Sequence, residues 1–319
     1  MTGTFSIMFY NTENYYDTVD DPDILDDEFT PNGFRNWTEE RFNNKTEKIA
    51  SVIVDIVSPN YPDIIGLAEI ENKDVMMALI NELQKKHCPN YSFVHFDSPD
   101  ERGSDVAMIY NTNTFKLLET HPIKVQLQGI EDRTRDILYV KGRLKNNDIL
   151  NLFFVHFPSR RAGTEETERR RYFVASELRN EILNVMMAES DPKIIVTGDF
   201  NDTPDNNGVD EILNAKKTFE NPLSNKLYNL LYPRYLKGLG TTYHKKWLLF
   251  DQLLVSGNIL TSDKTYCKPE DADIFNPRYL LFFNRNGESK PDRTYSGKYT
   301  GGYSDHLPVY MKLTLNGSL

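Results

Sequence analysis

The sequence predicts a domain of packed β-sheets with helices on the outside. Short apolar strands outnumber helical segments, and polar connections separate them along the whole chain. No internal repeat, low-complexity tract or Pro/Gly-rich linker divides the chain, so one domain over residues 1–319 is expected.

The elements follow in order. Residues 4–11 read as a strand, and residues 17–28 (DTVDDPDILDDE) as an acidic loop. That loop lacks the Asp/Asn alternation and glycine of an EF-hand, so it is taken as solvated rather than as a Ca²⁺ site. Thr38 is placed as an N-cap, with Glu39 and Glu40 in the first turn. Ile49, Val52, Ile53, Ile56 and Val57 then recur at helical spacing until Pro59 and Pro62. Residues 63–68 form a compact apolar run suited to a buried strand. Asn72 caps a second helix carrying Val75, Leu79 and Leu83 on one side. Strands are expected at 91–96, 106–110, 137–144 and 150–156, a long charged helix at 165–188, and strands at 193–197, 250–256 and 307–313.

Lys plus Arg number 37 and Asp plus Glu 47, a formal net charge of −10. Such a field repels polyanions at long range, and nucleic-acid binders normally carry a basic footprint. The balance weighs against DNA as the main substrate. Cys88 and Cys267 make no disulfide framework. The first residues show no basic stretch followed by an apolar one, and no apolar run of 18 residues occurs, so no membrane segment is expected. Cytoplasmic and exported forms both stay open, and a monomer is expected.

Chemistry-bearing residues sit at the ends of the apolar runs: Asn11, Glu69, His156, Asp199 with Asn201, Asp251, and Asp305 with His306. A strand end holds a side chain rigidly at the rim of a sheet, which suits a site that needs accurate geometry. A single Asp after a strand is usually a turn residue. The recurrence of carboxylates, amides and histidines along one chain points further. Mg²⁺ takes hard oxygen ligands and needs only one or two carboxylates, whereas Zn²⁺ would call for a close His/Cys cluster that the sequence lacks. Phosphate-ester cleavage needs charge neutralisation, an oriented water and donors to the phosphate oxygens, and these residue types supply all three.

The segments FYNTEN, LAEIEN, GSDVAMIYN, VHFPSRRAG, VTGDFNDTP, FDQLLVS and YSDHLPV occur in that order between Phe9 and Val309. In these motifs the chain resembles the endonuclease/exonuclease/phosphatase superfamily, which includes DNase I, exonuclease III-type abasic endonucleases, sphingomyelinases and inositol polyphosphate 5-phosphatases. AEIEN, HFPSRRAG and GGYSDHLPV look most similar to a bacterial branch. Phe9-Tyr10 stands where the family commonly has Trp before its hydrophobic-Asn pair.

The resemblance implies an α/β (α+β) fold, a four-layer α/β/β/α sandwich of two mixed sheets face to face. It implies a divalent-metal-dependent phosphoesterase using Mg²⁺ or Mn²⁺. Glu69 is then the principal metal ligand, with Asn11 and Asp305 nearby, either as supporting ligands or holding the ligands in place. Asp199 orients or deprotonates the attacking water, and Asn201 helps hold the phosphate. His306, oriented by Asp251, and His156 contact phosphate oxygens, with Asp105 as the carboxylate partner of His156. Either Asp199 or His306 can serve as the general base.

Arg160 and Arg161 follow His156 and are read as substrate-phosphate contacts, since guanidinium groups pair with phosphate in bidentate fashion. Arg169, Arg170 and Arg171 lie among glutamates and are read as a solvated helix face. Lys45, Lys48 and residues 243–246 are likewise placed at the surface. Lys290, Arg293 and Tyr295 belong to a loop that can shape specificity. His87, His95 and His121 are read as structural. The expected partner is a phosphate ester, whether nucleic acid, phospholipid head group or small phosphoester. A DNA endo- or exonuclease and a catalytically inactive binding protein are the alternatives.

Overall fold

The computed structural model describes residues 2–126, 133–161 and 163–317; Ala162 of the HFPSRRAG segment lies outside them. Three long helices, α1 (Glu39–Asp55), α2 (Lys73–Lys85) and α3 (Thr164–Ala188), flank two large sheets. The first sheet contains β1 (Thr2–Tyr15), β2 (Ile64–Ile70), β3 (Tyr91–His95) and β4 (Asp105–Asn111). The second contains β5 (Phe115–Ile123), β6 (Ile137–Leu144), β7 (Ile149–His156), β8 (Lys193–Asp199) and β9 (Leu227–Asn229). Residues 242–243 and 247–248 form a small hairpin of β10 (Thr242–Tyr243) and β11 (Trp247–Leu248). The chain then returns to the second sheet as β12 (Asp251–Ser256) and to the first as β13 (Thr265–Tyr266) and β14 (Ala272–Ile274). A further hairpin, β15 (Leu281–Phe283) with β16 (Ser289–Pro291), precedes the last strand β17 (Val309–Asn316).

The first sheet runs β13-β17-β1-β2-β4-β3, with β14 also on β17, and the second runs β5-β6-β7-β8-β12-β9. Each is mixed: β1 pairs with β2 and β7 with β8 in parallel, and their other neighbours are antiparallel. The period-2 alternation of strands assigns the layers. Leu150, Leu152 and Phe154 of β7 join Phe5, Ile7 and Phe9 of β1 in one core between the sheets. Phe153 and Val155 turn the other way and pack with Val174, Leu178 and Ile182 of α3. Ile49, Ile53, Val75 and Leu79 of α1 and α2 belong to the core of the first sheet. The result is the four-layer α/β/β/α sandwich. The sheets approach closely at Gly66, where a methyl group would stand 2.5 Å from the Phe154 ring and 2.9 Å from Phe9.

Asn72 caps α2 as expected, its side chain accepting from the Asp74 and Val75 amides at 2.8 and 3.0 Å. Thr38 stands at the N-cap of α1 without a side-chain bond. Strand β5 had no counterpart in the sequence reading. It is an edge strand, half exposed, and its polar Lys116, Glu119, Thr120 and Pro122 erase the apolar signal. Among the described residues no helix is long and apolar enough to cross a membrane.

Two surface assignments are corrected. Arg171 of α3 is fully buried, with Nε 2.7 Å from Asp202 Oδ1. Lys45 of α1 is buried too, its ammonium donating to Thr294 Oγ1 and the Tyr303 carbonyl, both at 2.6 Å. Mixed charge along a helix reads as solvated from sequence, and only tertiary partners distinguish these two positions. Lys48 also turns inward at its tip, donating to the Gly301 carbonyl.

Candidate active site at the joined strand ends

Strand register brings the motif residues together. His156 ends β7 opposite Asp199 at the end of β8, and Asp199 in turn lies opposite Asp251 at the start of β12. On the facing sheet Asn11 of β1 pairs with Ala68, next to Glu69. Glu69 sits in a bulge where β2 loses register with both neighbours, in left-handed backbone at φ 62°. The bulge re-aims its carboxylate toward the cleft. Asn201 also takes a left-handed conformation, φ 47°. Such backbone in non-glycine residues costs of order 1–3 kcal/mol and gathers at functional sites.

The groups converge tightly. His306 Nδ1 is 2.6 Å from Asp251 Oδ2, and His306 Nε2 is 3.7 Å from Asp199 Oδ2. His156 Nε2 lies 3.6 Å from the same Asp199 oxygen and 4.0 Å from Glu69 Oε1. Asn11 Nδ2 donates to Asp199 Oδ2 at 3.0 Å and to Glu69 Oε1 at 3.4 Å. The Asn14 amide donates to Glu69 Oε2 at 2.7 Å, and the Asn201 amide to Asp199 Oδ1 at 2.8 Å. Of these, Glu69, His156, Asp199, Asn201 and His306 line a cleft of about 470 Å³.

Burial alone disfavours a charged His306, yet the Asp251 and Asp199 carboxylates overcome it and hold the ring well above the ordinary histidine pKa. His156 goes the other way: burial first, then the charges of Arg135 and Arg102, press it well below the usual value. Burial pushes the Asp199 carboxyl up to about 7, against the pull of His306.

Several expected roles change. Asn11 Oδ1 accepts from the Glu13 amide at 3.0 Å, so its amide NH₂ faces Glu69 and Asp199. Asn11 thus orients both carboxylates with its NH₂ group. Asn201 Nδ2 is committed to the Phe157 carbonyl at 2.9 Å. Asp105 does not meet His156. It accepts from Ser98 and faces His95 Nε2 at 3.4 Å, because β4 places it beside β3 in the first sheet. Arg160 borders the cleft but donates to the Asn201 carbonyl, Asp202 and Asn206 at 2.6–2.7 Å, stacked over Phe250. It braces the loop after Asp199. Arg161 is exposed at the cleft rim.

Arg293 bridges Glu13 Oε1 at 3.1 Å and Asp305 Oδ2 at 3.0 Å. Glu13 is buried, and burial together with the Asp305 charge raises it to about 7 despite Lys45 and Arg293. Burial lowers Lys45 to about 8, with Glu13 opposing. This charged layer under the cleft escaped the sequence reading, although Glu13 lies inside FYNTEN. His244 lines the cleft, the less favoured of the two readings of its loop, and Arg102 joins it from the loop before β4. Asp199, Asp251 and His306 come close enough to suggest a ligand set. Asp251 is fully buried and hydrogen-bonded to His306, whose Nε2 faces Asp199 at 3.7 Å, so Asp251 fixes the ring between the two carboxylates.

The family model described as "Endonuclease/Exonuclease/phosphatase family" matches residues 6–315. Protein angel of Drosophila melanogaster is 21% identical over 198 residues, covering 61% of this chain and 54% of its own. The chain thus spans about half the length of that curated relative. Among solved structures, a humanized D. rerio TDP2 is similar at TM-score 0.56 and 14% identity, covering 97% of this chain and 98% of that one. The human Nocturnin catalytic domain with bound sulfate gives 0.57 and 16%, covering 98% and 95%. An endonuclease/exonuclease/phosphatase family protein from Bacteroides thetaiotaomicron gives 0.57 and 13%, covering 99% and 96%. With nearly its whole length matched by the family model, the chain belongs to the endonuclease/exonuclease/phosphatase family.

Proposed function

We propose that the chain hydrolyses a phosphomonoester or phosphodiester with a divalent cation, Mg²⁺ or Mn²⁺, through in-line attack of water. The observation that carries this is the Asp251–His306–Asp199 chain beside the Glu69 carboxylate in one cleft. Glu69 and Asp305 both line the cleft and offer hard oxygens, a donor set that fits Mg²⁺ or Mn²⁺ and not Zn²⁺. Bound there, the cation would neutralise charge building up on the phosphate oxygens.

The chain's own residues supply the rest. Asp251 on Nδ1 favours a doubly protonated His306, which presents its Nε2 proton to a phosphate oxygen. His306 then has no free position to accept a proton, and Asp199 takes it from the water. Asn11 and the Asn201 amide hold Asp199 in place for that transfer. His156, kept neutral by its surroundings, donates one N–H to the phosphate.

The test is a screen of plasmid DNA, abasic DNA, inositol phosphates, sphingomyelin, nucleotides and bis(4-nitrophenyl) phosphate with each metal. Metal-dependent turnover is expected, falling about 10²–10⁴-fold in Asp199→Asn. No turnover of any member with either metal overturns the reading. Nuclease action has one supporting observation, the similarity to D. rerio TDP2 solved with a single-strand DNA product, at 15% identity and TM-score 0.58. A steep salt dependence from counterion release would favour it. The net charge of −10 favours a small phosphoester.

A further inference from the structure

Beside the catalytic cleft lies a second cavity of about 230 Å³. The two adjoin, sharing Arg102, Ser159 and Arg161 in their walls. Among the described residues, five arginines line the second cavity, Arg102, Arg133, Arg135, Arg161 and Arg170, with one acid, Asp100. In a chain of net charge −10 this is a strong local reversal of sign.

The cavity has a built frame. Asp100 Oδ2 lies 3.3 Å from Arg135 Nε and Asp100 Oδ1 lies 3.8 Å from Arg102 Nε. Arg135 is buried and also donates to the Ser104 carbonyl at 3.1 Å. Asp100 is therefore engaged by Arg135 and Arg102, which leaves Arg133 and Arg161 as further cations among the described residues of the wall. Arg133 and Arg161 are exposed at its rim. The first turns of α3 add Thr167, and that 25-residue helix directs the positive end of its dipole to the same side. Arginine forks and a helix N-terminus are the two devices proteins use most to hold phosphate.

The geometry points to a second phosphate subsite: the substrate carries, besides the scissile ester, another phosphate group that seats among Arg102, Arg133 and Arg161. The inference rests on the phosphoesterase reading and names its substrate class, a small phosphoester bearing a second phosphate. One small pocket of about 230 Å³ suits a single additional phosphate, whereas a nucleic-acid strand needs a basic track that continues.

The test compares thymidine 5′-(4-nitrophenyl phosphate) with and without a 3′-phosphate, in the wild type, Arg133→Gln and Arg133→Lys. A preference of tenfold or more in kcat/KM for the 3′-phosphorylated ester is expected, carried by KM. Arg133→Gln should lose most of it, Arg133→Lys should regain part, and turnover of the plain ester should stay unchanged. Equal turnover of both esters, unaffected by Arg133→Gln, overturns the subsite while leaving the phosphoesterase reading intact. Calorimetric titration with inorganic pyrophosphate in metal-free buffer decides the case independently of turnover. Wild type should bind at least tenfold more tightly than Arg133→Gln, and equal binding overturns the subsite even if neither ester is cleaved. KM that keeps falling as single-stranded oligonucleotides lengthen would replace the pocket with a strand track and overturn it as well.

Discussion

His306 Nδ1 stands 2.6 Å from Asp251 Oδ2, and neither side chain is free to move: Asp251 is fully buried and paired with Asp199 across two antiparallel strands. The second sheet thus sets the aim of the His306 ring toward Asp199. Asp251→Asn removes the charge that keeps the ring protonated while preserving shape. Its kcat should fall about 10²–10⁴-fold with KM nearly unchanged, measured by steady-state kinetics on an aryl phosphodiester. A changed KM with intact kcat would count against an orienting role.

Asn11 turns its NH₂ to both Glu69 and Asp199, so it would act on a cation held by Glu69 through that carboxylate. Asn11→Ala should raise the Mg²⁺ concentration for half-maximal rate by about 10–100-fold, the range found when groups orienting metal ligands are removed. A metal titration of activity measures it.

Arg171 compensates the buried Asp202, with Arg160 as the second partner. Arg171→Met leaves a buried carboxylate short of charge and should destabilise the fold by about 3–5 kcal/mol. Urea denaturation reads the change. A shift under 1 kcal/mol would mean that Arg160 alone satisfies Asp202.

Gly66 has no room for a side chain between Phe154 and Phe9. Gly66→Ala should cost about 1–3 kcal/mol through overpacking between the sheets, again by urea denaturation. Because Gly66 lies three residues from Glu69, part of that shift should also appear as reduced kcat.

Most of the architecture was legible because buried strands such as β2 and β8 are continuous apolar runs, and the chemistry stands where those runs stop. Asn72 and the amphipathic face of α1 were equally plain. What escaped was whatever depends on partners remote in sequence. Lys45 and Arg171 look like solvated helix charges until Thr294 and Asp202 are seen beside them. Asp105 was matched to His156 by motif order, whereas β4 carries it to His95. The arginine-lined cavity draws Arg102, Arg133, Arg135, Arg161 and Arg170 from three separate stretches, and no spacing rule joins them.

Asp199 is proposed to take a proton from water in a metal-assisted hydrolysis. The most direct measurement is single-turnover cleavage of a phosphodiester in excess Mg²⁺ by wild type and Asp199→Asn, with chelator as control. Cleavage by the wild type, none after chelation, and a rate about 10²–10⁴-fold lower in Asp199→Asn with substrate binding retained are expected. Equal rates in wild type and Asp199→Asn, or full activity in chelator, would contradict it.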